Sequence, residues 1–242
     1  MNISMVLPTY NERENIEVVL TQIFEVFKQH EIQGKVIVVD DNSGDGTAEI
    51  VRGLTAAYPI ALIRRERKAG IGSAYVAGFK HALDSDADVI FEMDADLSHN
   101  PWDIPRFIKN IADYDVVVGS RYVEGGGIEH WGLHRRVVSR TANMFSRKCL
   151  SLKINDLTSG FRAYRGEVLE VIDLNEIESD GYAFQVEMLH RASKKGFKIK
   201  EIPIVFKERR EGKSKLSNWD VFDFFGFNFN VLKNRLFKKH LV

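Results

Sequence analysis

The sequence predicts an α/β protein with a doubly wound, mostly parallel sheet that is flanked by helices. Short apolar, β-branched runs alternate with longer segments of helical apolar spacing through the first half of the chain. The short runs lack polar alternation, as expected of strands that are buried on both faces of a sheet. With 242 residues, of which 44% are hydrophobic, the chain is long enough to bury such a core in one large domain.

The predicted elements follow one another in regular order. We expect strands over 4–9, 36–39, 61–63, 88–93 and 116–118. Helices are expected between them, over 14–29, 47–57, 73–83 and 102–111. In the first helix, for example, Ile16, Val19, Leu20 and Ile23 recur at helical spacing. Strands that alternate with helices in this way form parallel neighbours in one sheet.

The pattern changes after residue 121. Loops are predicted over 124–127 and 156–162, helices over 133–150 and 182–195, a strand over 198–206 and a basic loop over 207–215. The final helix, 219–241, is amphipathic, crowded with phenylalanine and basic at its end. A helix of this kind either packs on its own domain or lies at a membrane interface, and we favour peripheral contact with a membrane.

The bulk composition excludes several classes of function. Lys+Arg and Asp+Glu both number 34, so no nucleic-acid partner is expected. The single cysteine, Cys149, excludes an internal disulfide framework and is typical of a reducing compartment. The N-terminus lacks the basic start of a signal peptide, and no window approaches the roughly 20 apolar residues of a membrane span. We therefore expect neither a secretion signal nor a transmembrane helix.

Polar side chains follow each strand of the first half, at the point where the strand ends. They are the clusters 9–12, 40–41, 64–65, 94–96 and 119–121. Ligands of doubly wound proteins bind at the carboxyl ends of the strands. Because the clusters coincide with those ends, the sequence predicts an active site at this edge of the sheet.

The most informative cluster is Asp94-Ala95-Asp96, which ends a buried apolar strand. Carboxylate oxygens are the ligands that Mg²⁺ and Mn²⁺ prefer, and these cations commonly share their remaining positions with phosphates. Taken alone, such a motif is more often ordinary turn chemistry. Its place at the end of a strand favours a metal site that receives a diphosphate.

The ordered set of motifs resembles the family-2 inverting glycosyltransferases of the GT-A fold, which is Rossmann-like. The motifs are Pro8-Thr-Tyr-Asn-Glu12, Val39-Asp-Asp41-Asn-Ser-Gly-Asp-Gly-Thr47, Asp94-Ala-Asp96, Gly119-Ser-Arg121-Tyr and Ser159-Gly160-Phe. The segment from Phe206 to Leu216, with Arg209 and Lys215, narrows the resemblance to the dolichol-phosphate mannose synthases and their polyprenyl-phosphate relatives. It covers about residues 3–218.

The resemblance implies roles for individual residues. The nucleotide sugar would be bound by Pro8, Tyr10, Glu12, Val39, Asp41, Asp94, Ala95, Asp96, Arg209 and Lys215. Asp94 and Asp96 would hold Mg²⁺ or Mn²⁺, with Ser98 as a further candidate ligand where relatives often have Gln. The acceptor phosphate would be bound by Arg121, Arg135 and Ser139. Asp94, Asp96, Arg121 and Arg209 would be the catalytic residues.

The implied reaction is inverting transfer of mannose from GDP-mannose to the phosphate of dolichol or another polyprenol. A phosphate monoester is largely dianionic at neutral pH, so it can attack without a general base, provided that positive charge surrounds it. The alternatives are a UDP-glucose-dependent or other nucleotide-sugar-dependent enzyme and a non-catalytic sugar-nucleotide-binding subunit of a membrane complex.

The resemblance also implies a location and an organisation. The enzyme would lie on the cytoplasmic face of a membrane, either the plasma membrane or the endoplasmic reticulum, with a small membrane-anchoring subunit as a possible partner. Residues 1–216 would form the catalytic domain and 217–242 a membrane-interface helix.

Several residues have a purely structural alternative. Glu12 could cap the helix that follows it, and Asp41 could belong to ordinary turn chemistry. Asp156 could either assist the acceptor site or fix its own loop. The remaining candidates, namely His99, His130 and His134, lack metal-ligand spacing and are interpreted as structural or solvated.

Overall fold

A computed structural model describes residues 1–208 and 218–239 and, within the last helix, the side chains of 223–235. The strands are β1 (Ile3–Thr9), β2 (Gly34–Asp40), β3 (Ile60–Arg64), β4 (Val89–Glu92), β5 (Val116–Ser120), β6 (Gly127–Glu129), β7 (Arg162–Arg165), β8 (Ile199–Pro203) and β9 (Val205–Lys207). The helices are α1 (Arg13–Gln29), α2 (Thr47–Leu54), α3 (Ile71–Leu83), α4 (Ile104–Ile111), α5 (Leu133–Leu150), α6 (Gly166–Val171), α7 (Gly181–Lys194) and α8 (Asn218–Lys239).

A seven-stranded sheet, in the order β3-β2-β1-β4-β7-β5-β8, forms the centre of the protein. Its pairs are parallel wherever β7 is not involved. Each strand alternates its side chains between two apolar layers. Met5 and Leu7 of β1 pack toward α1 and α4, whereas Val6 packs toward α3 and α7. The predicted doubly wound, mostly parallel α/β fold is therefore confirmed.

Strand β7 was not predicted, because it lies at the end of the expected loop 156–162. It inserts antiparallel between β4 and β5. Its sequence, Arg-Ala-Tyr-Arg, contains no β-branched residue, and Tyr164 alone is a weak strand signal. Only the tertiary contacts of Arg162 and Tyr164, both fully buried, identify this segment as central.

The predicted strand 198–206 is wrong in one respect, since the chain changes sheets at Ile204. β8 pairs with β5, whereas β9 pairs with β6 in a separate two-stranded sheet. β6 begins at Gly127, at the end of the stretch 124–127 that was expected to be a loop. The backbone explains the division, because Ile204 donates its N–H to Ser120 and accepts the N–H of Gly127. One residue thus joins the two sheets.

The C-terminal helix α8 packs on α5 and α7. Phe224 is buried in the core, and Phe227 lies partly buried with its ring 6.2 Å from that of His190. Phe225 and Phe229 are more exposed and both contact Phe145 of α5. Along 1–208 and 218–239, no helix combines the length and hydropathy needed to cross a bilayer.

Candidate active site

The turns that follow β1 and β2 are joined at the carboxyl edge of the sheet. Asp40 is fully buried and its carboxylate accepts hydrogen bonds from Thr9 Oγ1 and from both the N–H and the hydroxyl of Ser43. Glu12 donates its backbone N–H to Thr47 Oγ1 at the start of α2. Asp40 therefore stabilises the turn, whereas Asp41 makes its contacts elsewhere.

Asp41 reaches across to the segment that follows β3. Its Oδ1 lies 3.0 Å from Arg65 Nε, and its Oδ2 accepts the N–H of Ala69 at 3.2 Å. Burial raises the pKa of this carboxyl, although the Ala69 hydrogen bond and the charge of Arg65 act in the opposite direction. Lys68 of the same segment lies 4.4 Å above the ring of Tyr10. The predicted nucleotide residues Tyr10 and Asp41 thus contact one basic loop.

The other nucleotide candidates lie close by. Pro8 and Val39 face each other in the register of β1 and β2. Glu12 directly precedes α1 but makes no side-chain capping bond. Its Oε2 instead accepts a hydrogen bond from Asn15 Nδ2 at 2.8 Å. Glu12 therefore occupies the N-cap position of α1, but its side chain does not cap the helix backbone.

The acidic pair leaves β4 in a tight turn. Asp94 Oδ1 accepts a hydrogen bond from the Tyr75 hydroxyl at 3.2 Å, and its side chain remains 31% exposed. Asp96 is buried, and its Oδ1 accepts the N–H of Ser98 at 3.1 Å. Ala95 packs between them into the apolar layer. The turn therefore presents Asp94 outward and uses part of Asp96 to hold its own shape.

Two observations fit a divalent cation at this turn. Gly160 leaves open the space beside Asp94, since a Cβ there would lie 3.0 and 3.2 Å from the two carboxylate oxygens. The Ser98 hydroxyl is buried and has no hydrogen-bond partner among the described residues. Within those same ranges, no three His, Cys, Asp or Glu side chains already form a metal-binding cluster. The donor set suits a hard cation that completes its shell with ligand phosphates and water.

His99 occupies a position that its sequence spacing did not predict. It is buried rather than solvated, and its Nε2 lies 3.5 Å from Asp94 Oδ2. The ring packs against Phe161 and Phe206, with centroids 5.4 and 5.2 Å away. The contact with Asp94 depends on the turn at residues 96–98, where Leu97 adopts a positive φ of 61°. Residue spacing alone gives no signal for it.

A buried ion pair joins β4 and β7 next to the acidic turn. Arg162 Nε lies 3.2 Å from Glu92 Oε1, and both side chains are fully buried. The same guanidinium donates to the carbonyl oxygens of Gln185 and Leu157. Burial raises the pKa of Glu92 to about 7, and the charge of Arg162 opposes that effect. This pair therefore anchors β7 to the end of β4, two residues before Asp94.

Arg121 forms a second buried pair, on the side predicted to bind the acceptor. Its Nε and Nη2 donate to the two carboxylate oxygens of Asp156 at 2.7 and 2.6 Å, and Nη2 also donates to Thr158. Burial opposes ionisation of Asp156, but the charge and hydrogen bonds of Arg121 prevail and lower the pKa of this carboxyl. Asp156 therefore compensates the charge of Arg121, an arrangement compatible with both alternatives for Asp156, and the predicted role of Arg121 toward a phosphate stays a prediction.

Arg135 and Ser139 lie one turn apart on α5. The Arg135 guanidinium stacks 3.9 Å from the ring of Trp131 and donates to Glu208 at 2.9 Å. Ser139 Oγ accepts the Tyr122 hydroxyl at 2.7 Å, which ties α5 to the residue after Arg121. The structure thus brings the three predicted acceptor residues to one side of the site. Arg209 and Lys215, predicted to contact the nucleotide sugar, lie outside the described residues.

The comparisons with known proteins agree with this architecture. Residues 4–173 match the model of glycosyl transferase family 2. The chain is 43% identical to a polyprenol monophosphomannose synthase of Mycolicibacterium smegmatis, over 90% of this chain and 82% of that protein. It is 40% identical to an undecaprenyl-phosphate mannosyltransferase of Micrococcus luteus, over 90% of this chain and 88% of that protein.

Solved structures share the fold. Glucosyl-3-phosphoglycerate synthase of Mycobacterium tuberculosis, in complex with Mn²⁺, uridine diphosphate and phosphoglyceric acid, has a TM-score of 0.69 at 20% identity, over 94% of this chain and 78% of that chain. The same enzyme with Mg²⁺ and uridine diphosphate has a TM-score of 0.68 at 20% identity, over 93% and 79% of the two chains. The predicted GT-A fold is thereby confirmed, and the chain belongs to glycosyl transferase family 2 and is a glycosyltransferase.

Proposed function

We propose that this enzyme transfers mannose from GDP-mannose to a polyprenyl phosphate, with inversion at the anomeric carbon. The supporting observation is a partly exposed Asp94 at the ligand-binding edge of a chain that is 43% identical to a polyprenol monophosphomannose synthase. An equally extensive relative is named for undecaprenyl-phosphate mannosyl transfer. Both names support a lipid phosphate as acceptor and mannose as the transferred sugar.

Asp94 and Asp96 would hold Mg²⁺ or Mn²⁺, with the Ser98 hydroxyl near enough in sequence to act directly or through water. A cation held by these carboxylates would supply positive charge to neutralise the departing diphosphate. Tyr75 orients the Asp94 carboxylate through its hydroxyl. The basic loop held by Asp41 carries Arg65 and Lys68, whose charges favour a nucleotide diphosphate at the same edge. That the base is guanine rather than uracil also belongs to this proposal.

The acceptor would approach along α5. A cavity of about 370 Å³ lies between this helix and the loop residues Tyr122 and Asn155. Its lining combines the cations Arg140 and Arg147 with apolar side chains of the same helix. A lipid phosphate needs both kinds of surface, cationic for its headgroup and apolar for its chain. Ser139 is tied to this region by its hydrogen bond with Tyr122, one of the lining residues.

The phosphate acceptor needs no general base, because its dianion is already nucleophilic at neutral pH. The residues have to bring this anion up to an anionic donor, and the arginines of α5 reduce their repulsion. A single displacement without a covalent enzyme intermediate inverts the anomeric centre. A β-linked polyprenyl-phosphate mannose would result from an α-linked donor.

A membrane-facing surface accompanies this acceptor route. Leu133, Val137, Val138 and Met144 of α5 are each more than half exposed, and Phe229 of α8 adds to them. Apolar side chains interspersed with arginine are typical of a surface that lies in the lipid headgroup region. We therefore propose peripheral attachment at the cytoplasmic face, with 1–216 as catalytic domain and 217–242 as interface helix. A small anchoring subunit remains part of this proposal.

The experiment uses the whole chain with Mg²⁺ or Mn²⁺, a short polyprenyl phosphate, and radiolabelled GDP-mannose or UDP-glucose in parallel. Label that enters the organic phase only from GDP-mannose is the expected result. Transfer only from UDP-glucose would establish the alternative donor. Binding of both substrates without transfer, in membranes as well as detergent, would favour a non-catalytic subunit. An Asp94→Asn variant tests the metal assignment, because undiminished transfer would refute it.

A further inference from the structure

Phe206 lies between two aromatic residues that belong to opposite sides of the site. Its ring centroid is 5.2 Å from that of His99, in an edge-to-face arrangement. On the other side it is 5.3 Å from the ring of Trp131, again edge-to-face. His99 and Trp131 are both more than nine-tenths buried. The three rings therefore form a continuous row of edge-to-face contacts.

The rings at the two ends of this row, His99 and Trp131, each contact a residue with a proposed role. His99 Nε2 lies 3.5 Å from Asp94 Oδ2, on the donor and metal side. The ring of Trp131 carries the Arg135 guanidinium at 3.9 Å, on the acceptor side. The Arg121 guanidinium also lies 5.5 Å from the Phe206 ring itself. One side chain, His99, thus separates Phe206 from the Asp94 carboxylate. One side chain, Trp131, separates it from the Arg135 guanidinium.

The orientation of the His99 and Trp131 rings depends mainly on ring packing. Among residues 1–208 and the described part of α8, no hydrogen-bond partner is found for either ring nitrogen of His99. The same holds for the indole nitrogen of Trp131. Buried imidazole and indole groups are usually oriented by such bonds. Without them, the orientation of both rings depends on what they pack against, and Phe206 packs against both.

The backbone around Phe206 is itself well anchored. Phe206 lies opposite Ile128 in the β6–β9 pair, three residues before Trp131. The next residue, Lys207, donates its N–H to the carbonyl of Ser98 at 3.0 Å, beside His99. The short two-stranded sheet therefore connects the Asp94–Asp96 turn to the start of α5, with the ring of Phe206 at the junction.

We propose that Phe206 is a positioning residue that sets the Asp94 carboxylate and the Arg135 guanidinium relative to each other. It acts through His99 on one side and through Trp131 on the other, and it contacts neither substrate. This inference rests on the proposed function, because that function assigns Asp94 to the donor and Arg135 to the acceptor. The ring thereby helps to set the distance over which one phosphate approaches the other.

The first test reads out the rings themselves, in the ligand-free protein. Selective ¹⁵N labelling of histidine and tryptophan gives side-chain signals for His99 and Trp131, assigned by substituting each. Phe206→Leu is expected to shift or broaden both signals, and Phe206→Tyr, which keeps the ring, to restore both. Unchanged signals in Phe206→Leu would overturn the inference whether or not the protein transfers mannose.

The second test measures the two sites separately. Mn²⁺ affinity in the presence of GDP is followed by electron paramagnetic resonance, and KM is measured for a short polyprenyl phosphate. We expect Phe206→Leu to weaken both several-fold. The matched control is Phe24→Leu, which removes a buried ring that stacks on Tyr58 in a remote part of the core. A loss confined to one site, or an equal loss in the control, would contradict the proposal.

Failure of the proposed function has a different signature. If wild-type protein transfers another sugar, or none, the ring signals and the Mn²⁺ titration still report on Phe206. If those measurements respond as expected, Phe206 positions the two side chains, and only the identity of the substrates has to change.

Discussion

Gly160 approaches the Asp94 carboxylate more closely than any larger residue could without a displacement. An added Cβ would lie 3.0 Å from Oδ2, 3.2 Å from Oδ1 and 3.3 Å from Cγ. Unstrained contacts between heavy atoms begin at about 3.5 Å. Gly160→Ala should therefore push the carboxylate away by roughly half an ångström. This displacement would change the distance between Asp94 and a cation bound at the proposed site.

The size of the effect follows from that displacement. A misplacement of about 1 Å in a catalytic site costs on the order of a hundredfold in rate. Half of that distance corresponds to roughly tenfold, or about 1.4 kcal/mol of lost binding or transition-state free energy. Because the Asp94 side chain is 31% exposed, it has room to move, and the protein should lose only about 1 kcal/mol of stability.

The assay compares Gly160→Ala with Gly127→Ala. A Cβ at Gly127 meets nothing within 4 Å, so this control makes the same chemical change without a clash. Mn²⁺ affinity is measured by titration, kcat/KM by label transfer, and stability by urea unfolding. We expect a roughly tenfold loss of affinity and of kcat/KM in Gly160→Ala only. Mn²⁺ affinity equal to that of wild type would refute the assignment of Asp94 to the metal.

Three further predictions concern buried charge and the metal. Asp156→Asn leaves Arg121 buried with its charge uncompensated, so urea unfolding should show a loss of about 3–5 kcal/mol; a loss below about 1 kcal/mol would contradict this account of the pair. Burial raises the pKa of Glu92 to about 7, so its protonated form favours the folded state. That contribution is complete below the ordinary Glu pKa and is lost as pH rises through 7. The free energy of unfolding of Glu92→Gln should therefore fall less steeply between pH 5 and 8 than that of wild type. Equal slopes would argue against a raised pKa of Glu92. Finally, EDTA should abolish transfer while leaving the circular dichroism spectrum unchanged, and added Mg²⁺ or Mn²⁺ should restore it; transfer that survives EDTA would exclude a required cation.

Local sequence patterns predicted much of the fold. Strand β1 and helix α1 lie within one residue of their expected limits, and α5 spans 133–150 as predicted. Helix 102–111 instead begins as a 3₁₀ turn at Pro101–Asp103 before α4. Helix α2 ends at Leu54 rather than at 57. Periodicity is strongest within an element and weakest at its ends, where caps and turns decide the limits.

The chemistry of the site was readable only where it depends on chain order. Polar clusters at strand ends predicted the ligand-binding edge, because parallel strands bring their carboxyl ends together. The same reasoning could not separate Asp40 from Asp41. Their roles depend on Ser43, Thr9 and Arg65, which become neighbours only when the sheet has formed.

The sequence alone thus determined the alternating architecture, the edge of the sheet that we propose as the ligand site, and the acidic pair at that edge, because these follow from residue type and order. Tertiary structure alone decided that β7 enters the sheet antiparallel, that Asp156 compensates Arg121, and that His99 reaches Asp94. Each of these contacts joins segments, or turns one segment back on itself, through packing that no local periodicity encodes. Burial and long-range pairing, rather than residue identity, therefore determine what these side chains contact.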